Sequence, residues 1–197
     1  MRVIAGTCKG RRLVAPKGSH TRPALDRIKE SLFSILFDVS GQTILDLFAG
    51  SGSVGIEALS RGATSATFVE NNSAALKAMT TNLKACGFEE QSTIMKQDVD
   101  RALDKLSKQN VSFDLIFVDP PYLKDLVNVS LAKIGSSNLA HSGSRIVVEH
   151  HPKEPIEEIE GLTLTDTRTY GQTLISFLRK ETDARSQMPD AKKHKSI

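Results

Sequence analysis

The sequence predicts one α/β domain with a seven-stranded, mostly parallel sheet, helices on both faces, and a small N-terminal β-hairpin and helix. Two observations predict this class. From residue 43 onward, short apolar runs typical of buried strands alternate with segments whose apolar residues recur at helical spacing. Alternation of this kind is typical of parallel sheets covered on both faces. The length of 197 residues is also enough for one domain with a substantial core.

The first forty residues are predicted to form the hairpin and the helix. RVIA (2–5) and RRLVA (11–15) are short strand-like runs around two glycines, and residues 17–22 form a polar loop. Pro23 can occupy the first turn of a helix, because its missing N–H is not needed there. Apolar residues then recur at helical spacing up to residue 37, namely Leu25, Ile28, Leu32, Ile35 and Leu36.

The central elements follow from apolar periodicity and from turn residues. The predicted strands are TILDLF (43–48), SATFVE (65–70), STIMKQD (92–98), FDLIFVD (113–119) and SRIVVEH (144–150). The predicted helices cover about residues 53–61, 74–85, 101–108 and 124–134. Gly62 and Gly87 end the first two of these helices, and Asn72 or Ser73 can cap the second at its N-terminus.

The chain is predicted to end with a hairpin and a polar tail. Residues 162–178 contain two strand-like runs around Tyr170-Gly171. The tail, residues 181–197, is polar and lacks apolar periodicity, so it is predicted to be disordered. We therefore expect one domain over residues 1–180, in which residues 1–40 form the basic hairpin and helix.

The charge is distributed unevenly along the chain. Residues 1–29 carry eight Lys or Arg side chains and one acid, a net charge of +7, whereas the whole chain carries only +3. A basic segment on a mildly acidic body is typical of a protein that contacts a polyanion such as nucleic acid. A solvated charged arm would have the same composition.

The composition argues against several other classes. No apolar run approaches the length of a membrane span, and the N-terminus lacks the apolar region of a signal peptide. A transit peptide would also be basic, but Gly6, Gly10 and Pro16 favour a hairpin over an amphipathic helix. Cys8 and Cys86 form no C-x-x-C motif, so we expect no metal cluster and a reducing, cytoplasmic location.

Residues 46–55, DLFAGSGSVG, contain a G-x-G-x-x-G motif between a predicted strand and a predicted helix. With Glu70 downstream, this pattern matches the dinucleotide-binding fingerprint. Asp46 argues against a pyrophosphate, because two anions repel each other. S-adenosylmethionine has no phosphate. Asp46 can attract its ammonium group, and N–H groups near Ser51 and Gly52 suit its carboxylate. A lone motif of this kind is weak, since glycines in a turn can serve tight packing alone. Gly55 is expected to pack the helix and is assigned no ligand.

The polar ends of the predicted strands complete the candidate site. Ligands of parallel sheets bind at the carboxyl ends of the strands, so Asp46, Glu70, Asp98 and Asp119 should line one crevice. Glu70 can accept hydrogen bonds from both ribose hydroxyls, and Asp98 from the adenine amino group, in either cofactor. Solvated strand ends would explain each acid singly but not their joint placement. The predicted cofactor-binding residues are Asp46, Phe48, Gly50, Ser51, Gly52, Glu70, Asn71, Asp98 and Val99.

A second motif, Asp119-Pro120-Pro121-Tyr122 (DPPY), follows the fourth predicted strand. Its two prolines fix φ and remove two N–H donors. The loop suits a planar base with an exocyclic amine, because Tyr122 can stack on the base while the Asp119 carboxylate and the Pro120 carbonyl accept the amine hydrogens. The lone pair of the amine can then face a sulfonium methyl group, and in-line transfer needs no strong base. A rigid surface turn is the alternative.

These motifs together resemble a known family. DLFAGSG with FVDPPY resembles the amino-methyltransferases that act on nucleic-acid bases or glutamine amides. More narrowly, RPALDRIKESLFSIL, DLFAGSGSVGIEALSRGA, FVE, FDLIFVDPPY, VVEH and YGQT are similar to the bacterial RsmD-type family. The resemblance runs from residue 1 to about residue 179. It departs at Ala24-Leu25, where the family often has two threonines.

The resemblance implies a Rossmann-like class I methyltransferase fold and methylation of the N2 amine of a guanine in 16S ribosomal RNA. It implies S-adenosylmethionine as cofactor, no metal, and 16S rRNA or the small ribosomal subunit as partner, and it leaves the oligomeric state open. The catalytic residues that it implies are Asp119, Pro120 and Tyr122. The residues that it implies for RNA contact are Arg2, Lys9, Arg11, Arg12 and Arg22.

Three alternatives remain at this point. A DNA or RNA adenine-N6 methyltransferase would share DPPY, but such DNA enzymes usually carry a target-recognition region for which this chain has no spare length. An NAD-dependent oxidoreductase would need a proton-handling residue, and His150-His151 is the one suggestive pair of histidines. A non-catalytic RNA-binding module would explain the basic start but leaves the glycine motif and DPPY without a role.

Overall fold

The computed structural model of the chain describes residues 1–16 and 23–181, and for residues 23–25 it describes the backbone alone. Three sequence predictions therefore lie outside the described residues, namely the polar loop over residues 17–22, the RNA contact at Arg22 and the disorder of residues 182–197. Glu181, the first residue of the predicted tail, is described, and its backbone N–H donates to the Gly161 carbonyl at 3.0 Å.

Apart from the N-terminal hairpin, the predicted helices and strands are confirmed, with boundaries shifted by a few residues. The helices are α1 (Pro23–Leu36), α2 (Ser53–Ser60), α3 (Ser73–Cys86), α4 (Val99–Lys108) and α5 (Leu126–Gly135). The strands are β1 (Thr43–Leu47), β2 (Ser65–Glu70), β3 (Ser92–Lys96), β4 (Phe113–Val118), β5 (Ala140–His150), β6 (Leu162–Tyr170) and β7 (Thr173–Lys180). The Asn72 side chain caps α3 by accepting hydrogen bonds from the N–H groups of Ala74 and Ala75.

The seven strands form one sheet in the order β3-β2-β1-β4-β5-β7-β6. Neighbours are parallel from β3 through β5, and β7 runs antiparallel to both β5 and β6. The chain first builds outward from β1 to β3 and then returns to place β4 on the other side of β1. This reversal puts the carboxyl ends of β1 and β4 side by side, where open α/β sheets bind their ligands.

Alternation along the strands divides the core between the two faces of the sheet. Ile44 and Phe117 belong to the core cluster that α1, α2 and α3 cover, which we call the first face. Leu45 and Val118 belong to the cluster that α4 and α5 cover, the second face. Asp46 pairs with Phe117 in the β1–β4 register and therefore points to the first face.

The predicted N-terminal hairpin is only partly present. A single antiparallel bridge joins Arg2 to Arg12, and neither segment extends into a strand. Backbone hydrogen bonds from Val3 to Arg11, Gly10 to Val3 and Leu13 to Met1 join the two segments, and other backbone N–H groups of this region bond to helix side chains. The buried carboxylate of Glu57 on α2 accepts hydrogen bonds from the N–H groups of Ile4 at 2.8 Å and Ala5 at 3.0 Å.

None of the helices in the described part of the chain combines the length and apolar character needed to span a bilayer. The two cysteines, distant in sequence, meet where the N-terminal segment contacts the end of α3. Cys8 and Cys86 are both free, half-buried thiols that lie close together. Burial, together with the Cys8 thiol, raises the pKa of Cys86 to about 12.

Candidate active site

Two cavities open at the carboxyl ends of the strands. The larger, of about 710 Å³, lies toward the second face and is bordered by Glu70, Asn71, Asp98, Val99 and the DPPY residues, among others. The smaller, of about 210 Å³, lies toward the first face and is bordered by Asp46, Gly50 and Ser51, among others. The single crevice expected from the sequence is therefore divided. Phe48 and Asp119 border both cavities and stand where the two meet.

Asp46 is a buried carboxylate at the start of the glycine loop, residues 46–55. Its side chain is 3% exposed, and its Oδ2 atom accepts a hydrogen bond from the Gly55 N–H at 3.0 Å. Burial raises the pKa of Asp46 to about 7, and the nearby Glu70 charge adds to that shift. A ligand cation beside Asp46 would stabilise the carboxylate and lower that pKa. The residue is therefore suited to an ammonium group, and its role in cofactor binding stays a prediction.

Glu70 holds the glycine loop in place. One carboxylate oxygen accepts the Gly50 N–H at 2.8 Å. The other accepts the N–H groups of Asn71 at 2.8 Å and Asn72 at 2.7 Å. Because Oε2 accepts a single N–H and has a second lone pair, Glu70 can still accept a hydrogen bond from a ligand in the larger cavity that it borders. The role of Glu70 in ribose binding stays a prediction.

The acid after β3 lies on the rim of the same cavity. Asp98 is exposed, and its Oδ1 atom accepts a hydrogen bond from the Asn71 amide at 2.6 Å. Helix α4 begins at Val99, two residues earlier than predicted, so Asp98 occupies the N-cap position without a capping side-chain bond. Its carboxylate is therefore available to a ligand, as its predicted adenine contact requires.

The glycines of the loop have different surroundings, although Gly50 and Gly52 both have left-handed φ angles, of 56° and 76°. A Cβ added at Gly50 would meet open space, which fits close approach of a ligand. A Cβ added at Gly52 would lie 2.9 Å from Met79 Cγ, so this glycine faces the core and borders neither cavity. Gly55 packs against Phe68, whose Cε1 atom would lie 2.3 Å from an added Cβ, and the sequence assigned it packing alone.

Asp119 opens the DPPY loop, residues 119–122, directly after β4. Its side chain is reached by solvent through the cavities that it borders, while protein surrounds it in most directions. This crowding raises the pKa of Asp119 well above its usual range, and the carboxylates of Glu149 and Asp46 raise it further. A hydrogen-bond donor placed beside Asp119 would relieve the cost of its charge.

Tyr122, at the end of the DPPY loop, is held by its hydroxyl group. The hydroxyl donates to Glu149 Oε1 at 2.7 Å and lies 3.0 Å from Thr173 Oγ1. Its ring is tilted against the His151 ring, with 5.7 Å between centroids. Burial raises the pKa of Tyr122, so the hydroxyl stays a donor at neutral pH.

Glu154 supports the chain immediately after the DPPY loop. Its carboxylate accepts the N–H groups of Leu123 at 2.5 Å, Lys124 at 3.0 Å and Asp125 at 3.1 Å. These bonds lower the pKa of Glu154, the bond from Leu123 most. Leu123 and Asp125 have left-handed φ angles of 58° and 55°, which cost energy for non-glycine residues. Glu154 thus stabilises a conformation that the local sequence disfavours.

Sequence reasoning missed three residues of this site: Glu149, Glu154 and Lys29. Lys29 borders the smaller cavity, is 5% exposed, and forms an ion pair with Glu57 at 3.3 Å. Burial lowers its pKa, although Glu57 opposes that shift. One signal was available, because Lys29 falls on the apolar stripe of α1 one residue after Ile28. Nothing in the local pattern marked the two glutamates.

The structure divides the predicted RNA-contact residues into two groups. Lys9, Arg11 and Arg12 are exposed and border one surface groove of about 670 Å³. Arg2 is exposed but lies apart from that groove, where it pairs with Asp26 at 3.9 Å. The basic groove is therefore formed by the turn of the N-terminal segment.

His150 and His151, the pair considered for proton handling in an oxidoreductase, both make structural contacts in the fold. His150 is buried, with Nδ1 bonded to the Glu154 carbonyl at 2.8 Å and Nε2 to Ser176 Oγ at 2.9 Å. Both ring nitrogens are thus engaged, and His151 packs against Tyr122. Across residues 1–16 and 23–181, no three His, Cys, Asp or Glu side chains are grouped so that they could hold a metal ion.

The strand order, the antiparallel β7 and the acids at the strand ends define the Rossmann-like class I methyltransferase fold. Within that class, a family model described as "Conserved hypothetical protein 95" matches residues 1–179. The chain belongs to this family, the RsmD-type methyltransferases.

Relatives match over nearly the whole chain. YlbH of Bacillus subtilis is 39% identical over 184 residues, which covers 91% of this chain and 99% of that protein. Ribosomal RNA small subunit methyltransferase D of Haemophilus influenzae is 34% identical over 180 residues, covering 90% and 91% of the two chains. The solved structure of yhhF from Escherichia coli is 27% identical and superposes with a TM-score of 0.80 over 93% of this chain and 99% of that one.

Proposed function

We propose that this chain methylates the exocyclic N2 amine of a guanine in 16S rRNA, with S-adenosylmethionine as methyl donor. The observation that carries the proposal is the DPPY loop at the carboxyl end of β4, where Asp119 borders both cavities. The name of the Haemophilus relative, ribosomal RNA small subunit methyltransferase D, supports small-subunit rRNA as the substrate.

The acids around the cavities support the choice of cofactor. Glu70 and Asp98 offer acceptors for the ribose hydroxyls and the adenine amine at the larger cavity, and Asp46 offers a buried carboxylate for the methionine ammonium. A pyrophosphate at the glycine loop would meet the Asp46 carboxylate as a repelling charge. Bound S-adenosylmethionine would supply an electrophilic methyl group.

In this proposal, the DPPY loop holds the base and its amine. The Tyr122 ring stacks on the base, while the Asp119 carboxylate and the Pro120 carbonyl accept the two amine hydrogens. Acceptors on both hydrogens favour a pyramidal nitrogen whose lone pair is free to attack. Positioning and electrostatics then account for most of the acceleration. After transfer, the cationic amine can release its proton.

RNA binding is proposed for the basic groove of Lys9, Arg11 and Arg12. Their side chains are suited to phosphate contacts, which position RNA without identifying its sequence. The target base has to leave its stack to reach the DPPY loop.

The test is transfer of tritiated methyl groups to small-subunit rRNA by the wild-type protein and by Asp119→Ala. We expect the variant to lose at least about a hundredfold in rate, with its affinity for S-adenosylhomocysteine retained in calorimetry. Asp166→Ala is the matched control, since Asp166 pairs with Arg168 on the β6–β7 hairpin away from both cavities.

The product is identified by mass spectrometry of the digested RNA, and N2-methylguanine is expected. Equal incorporation by wild type and Asp119→Ala would contradict the role of Asp119. Formation of N6-methyladenine would instead support the adenine methyltransferase alternative.

A further inference from the structure

Glu149 lies beside Asp119 at the carboxyl ends of two paired strands. The β4–β5 register pairs Val118 with Val148, so the next residues of the two strands, Asp119 and Glu149, are neighbours. Both side chains border the smaller cavity, toward the first face. Asp119 also borders the larger cavity together with Pro120 and Tyr122, so a base held by the DPPY loop where the two cavities meet would lie beside both carboxylates.

The Glu149 carboxylate is oriented by the DPPY loop itself. Its Oε1 atom accepts the Tyr122 hydroxyl at 2.7 Å, and that hydroxyl is positioned in turn by Thr173 at 3.0 Å. Within the described residues, no hydrogen-bond donor meets the second oxygen, Oε2. Burial raises the pKa of Glu149, so an additional donor from a ligand would stabilise its charge.

The purine bases differ in what they present beside the reactive amine. Guanine has three donors along this edge, namely N1–H and the two hydrogens of the N2 amine. Adenine has two donors on N6 and a lone pair on N1. The DPPY loop supplies two acceptors, the Asp119 carboxylate and the Pro120 carbonyl, and Glu149 Oε2 supplies a third. Three acceptors match guanine, whereas adenine would place its N1 lone pair against a carboxylate.

We propose that Glu149 determines base specificity, with its Oε2 atom accepting the N1–H of the target guanine while Asp119 and Pro120 hold the N2 amine. The inference rests on the proposed function, because it concerns the base held by the DPPY loop. Tyr122 then has a second role besides stacking on the base, because its hydroxyl orients the Glu149 carboxylate that accepts from N1–H.

The test compares two RNA substrates that differ at the modified position alone, one with guanine and one with 2-aminopurine. 2-Aminopurine keeps the 2-amino group but has a lone pair on N1. The wild-type kcat/KM should be about ten- to a hundredfold higher for guanine, the range expected when a charged acceptor loses its donor. In Glu149→Gln, the amide can donate to N1 of 2-aminopurine or accept from N1–H of guanine. The ratio should therefore fall to near one.

Glu158→Gln, an exposed glutamate away from both cavities, is the matched control and should keep the wild-type ratio. The fluorescence of 2-aminopurine reports binding independently of turnover, and Glu149→Gln should bind the 2-aminopurine RNA more tightly than wild type does. Wild-type protein that methylates both RNAs equally would overturn the inference, even if the variant does not fold. An unchanged ratio in folded Glu149→Gln would also overturn it. Absence of N2-methylguanine with the guanine RNA would refute the proposed function instead.

Discussion

The glycine loop and the DPPY loop are each stabilised by one glutamate carboxylate, but the two glutamates differ in their position relative to the cavities. In each, one glutamate carboxylate accepts three backbone N–H groups: Glu70 for the glycine loop and the start of α3, and Glu154 for the segment after the DPPY loop. Glu70 also borders the larger cavity, whereas Glu154 borders neither cavity. At the first loop, one residue thus both supports the backbone and borders a cavity. At the second loop, Glu154 gives the support and Glu149 faces the cavity.

Removal of the two supporting glutamates should separate the functions of the loops. In Glu154→Ala, three N–H groups lose their acceptor and the DPPY loop shifts, so methyl transfer should fall about a hundredfold or more. The Kd for S-adenosylhomocysteine should stay within about twofold, because Glu154 lies outside both cavities. In Glu70→Ala, the same Kd should rise about tenfold or more. Single-turnover rates and calorimetry measure the two quantities.

The proposed difference between the two loops would be contradicted if Glu154→Ala and Glu70→Ala each changed both the Kd for S-adenosylhomocysteine and the methyl-transfer rate. That result would mean that the two loops move as one unit. Thermal unfolding of both variants serves as the control for general loss of structure.

Alanine at each of the two glycines should test which part of the glycine loop faces the core. Gly52→Ala combines a left-handed φ with a Cβ at 2.9 Å from Met79 Cγ, so we expect a loss of roughly 2 kcal/mol in unfolding free energy. Gly50→Ala should lose roughly 1 kcal/mol, because it meets open space. The main effect of Gly50→Ala should be weaker binding of S-adenosylhomocysteine. Urea unfolding checks the ranking, and equal losses at both positions would show that Gly52 is not packed as described.

Asp46→Asn should reveal the cost of the buried carboxylate in the glycine loop. Folded Asp46 keeps its proton up to about pH 7, whereas its ordinary pKa is 3.8. The folded state therefore binds more protons than the unfolded state between these values, and wild-type stability falls as the pH rises through this window. Asparagine cannot ionise and can still accept the Gly55 N–H, so at about 1.4 kcal/mol per pKa unit the variant should be more stable than wild type by roughly 3 to 4 kcal/mol at pH 7.

Unfolding curves at several pH values measure this difference, which should vanish near pH 4. A variant that is less stable than wild type at pH 7 would contradict the assignment. Because Asp46 is proposed to hold the cofactor ammonium, the same variant should bind S-adenosylhomocysteine more weakly.

The sequence predicted what depends on local chemistry. Apolar periodicity located every helix and strand, since each element buries one stripe or one face. The Asn72 cap and the packing role of Gly55 followed from residue type and position. The placement of Asp119 after a central strand followed from the apolar run of β4 and the prolines behind it.

The contacts between distant segments were decided by the tertiary structure alone. The bonds from Glu154 to residues 123–125 and from Tyr122 to Glu149 join residues 27 to 31 positions apart, and they depend on the β4–β5 register. The division of the crevice at Phe48 and Asp119 depends on the two faces of the sheet. Local patterns carry no information about such pairings, because a glutamate at a strand end looks the same in sequence whether it supports a loop or faces a base.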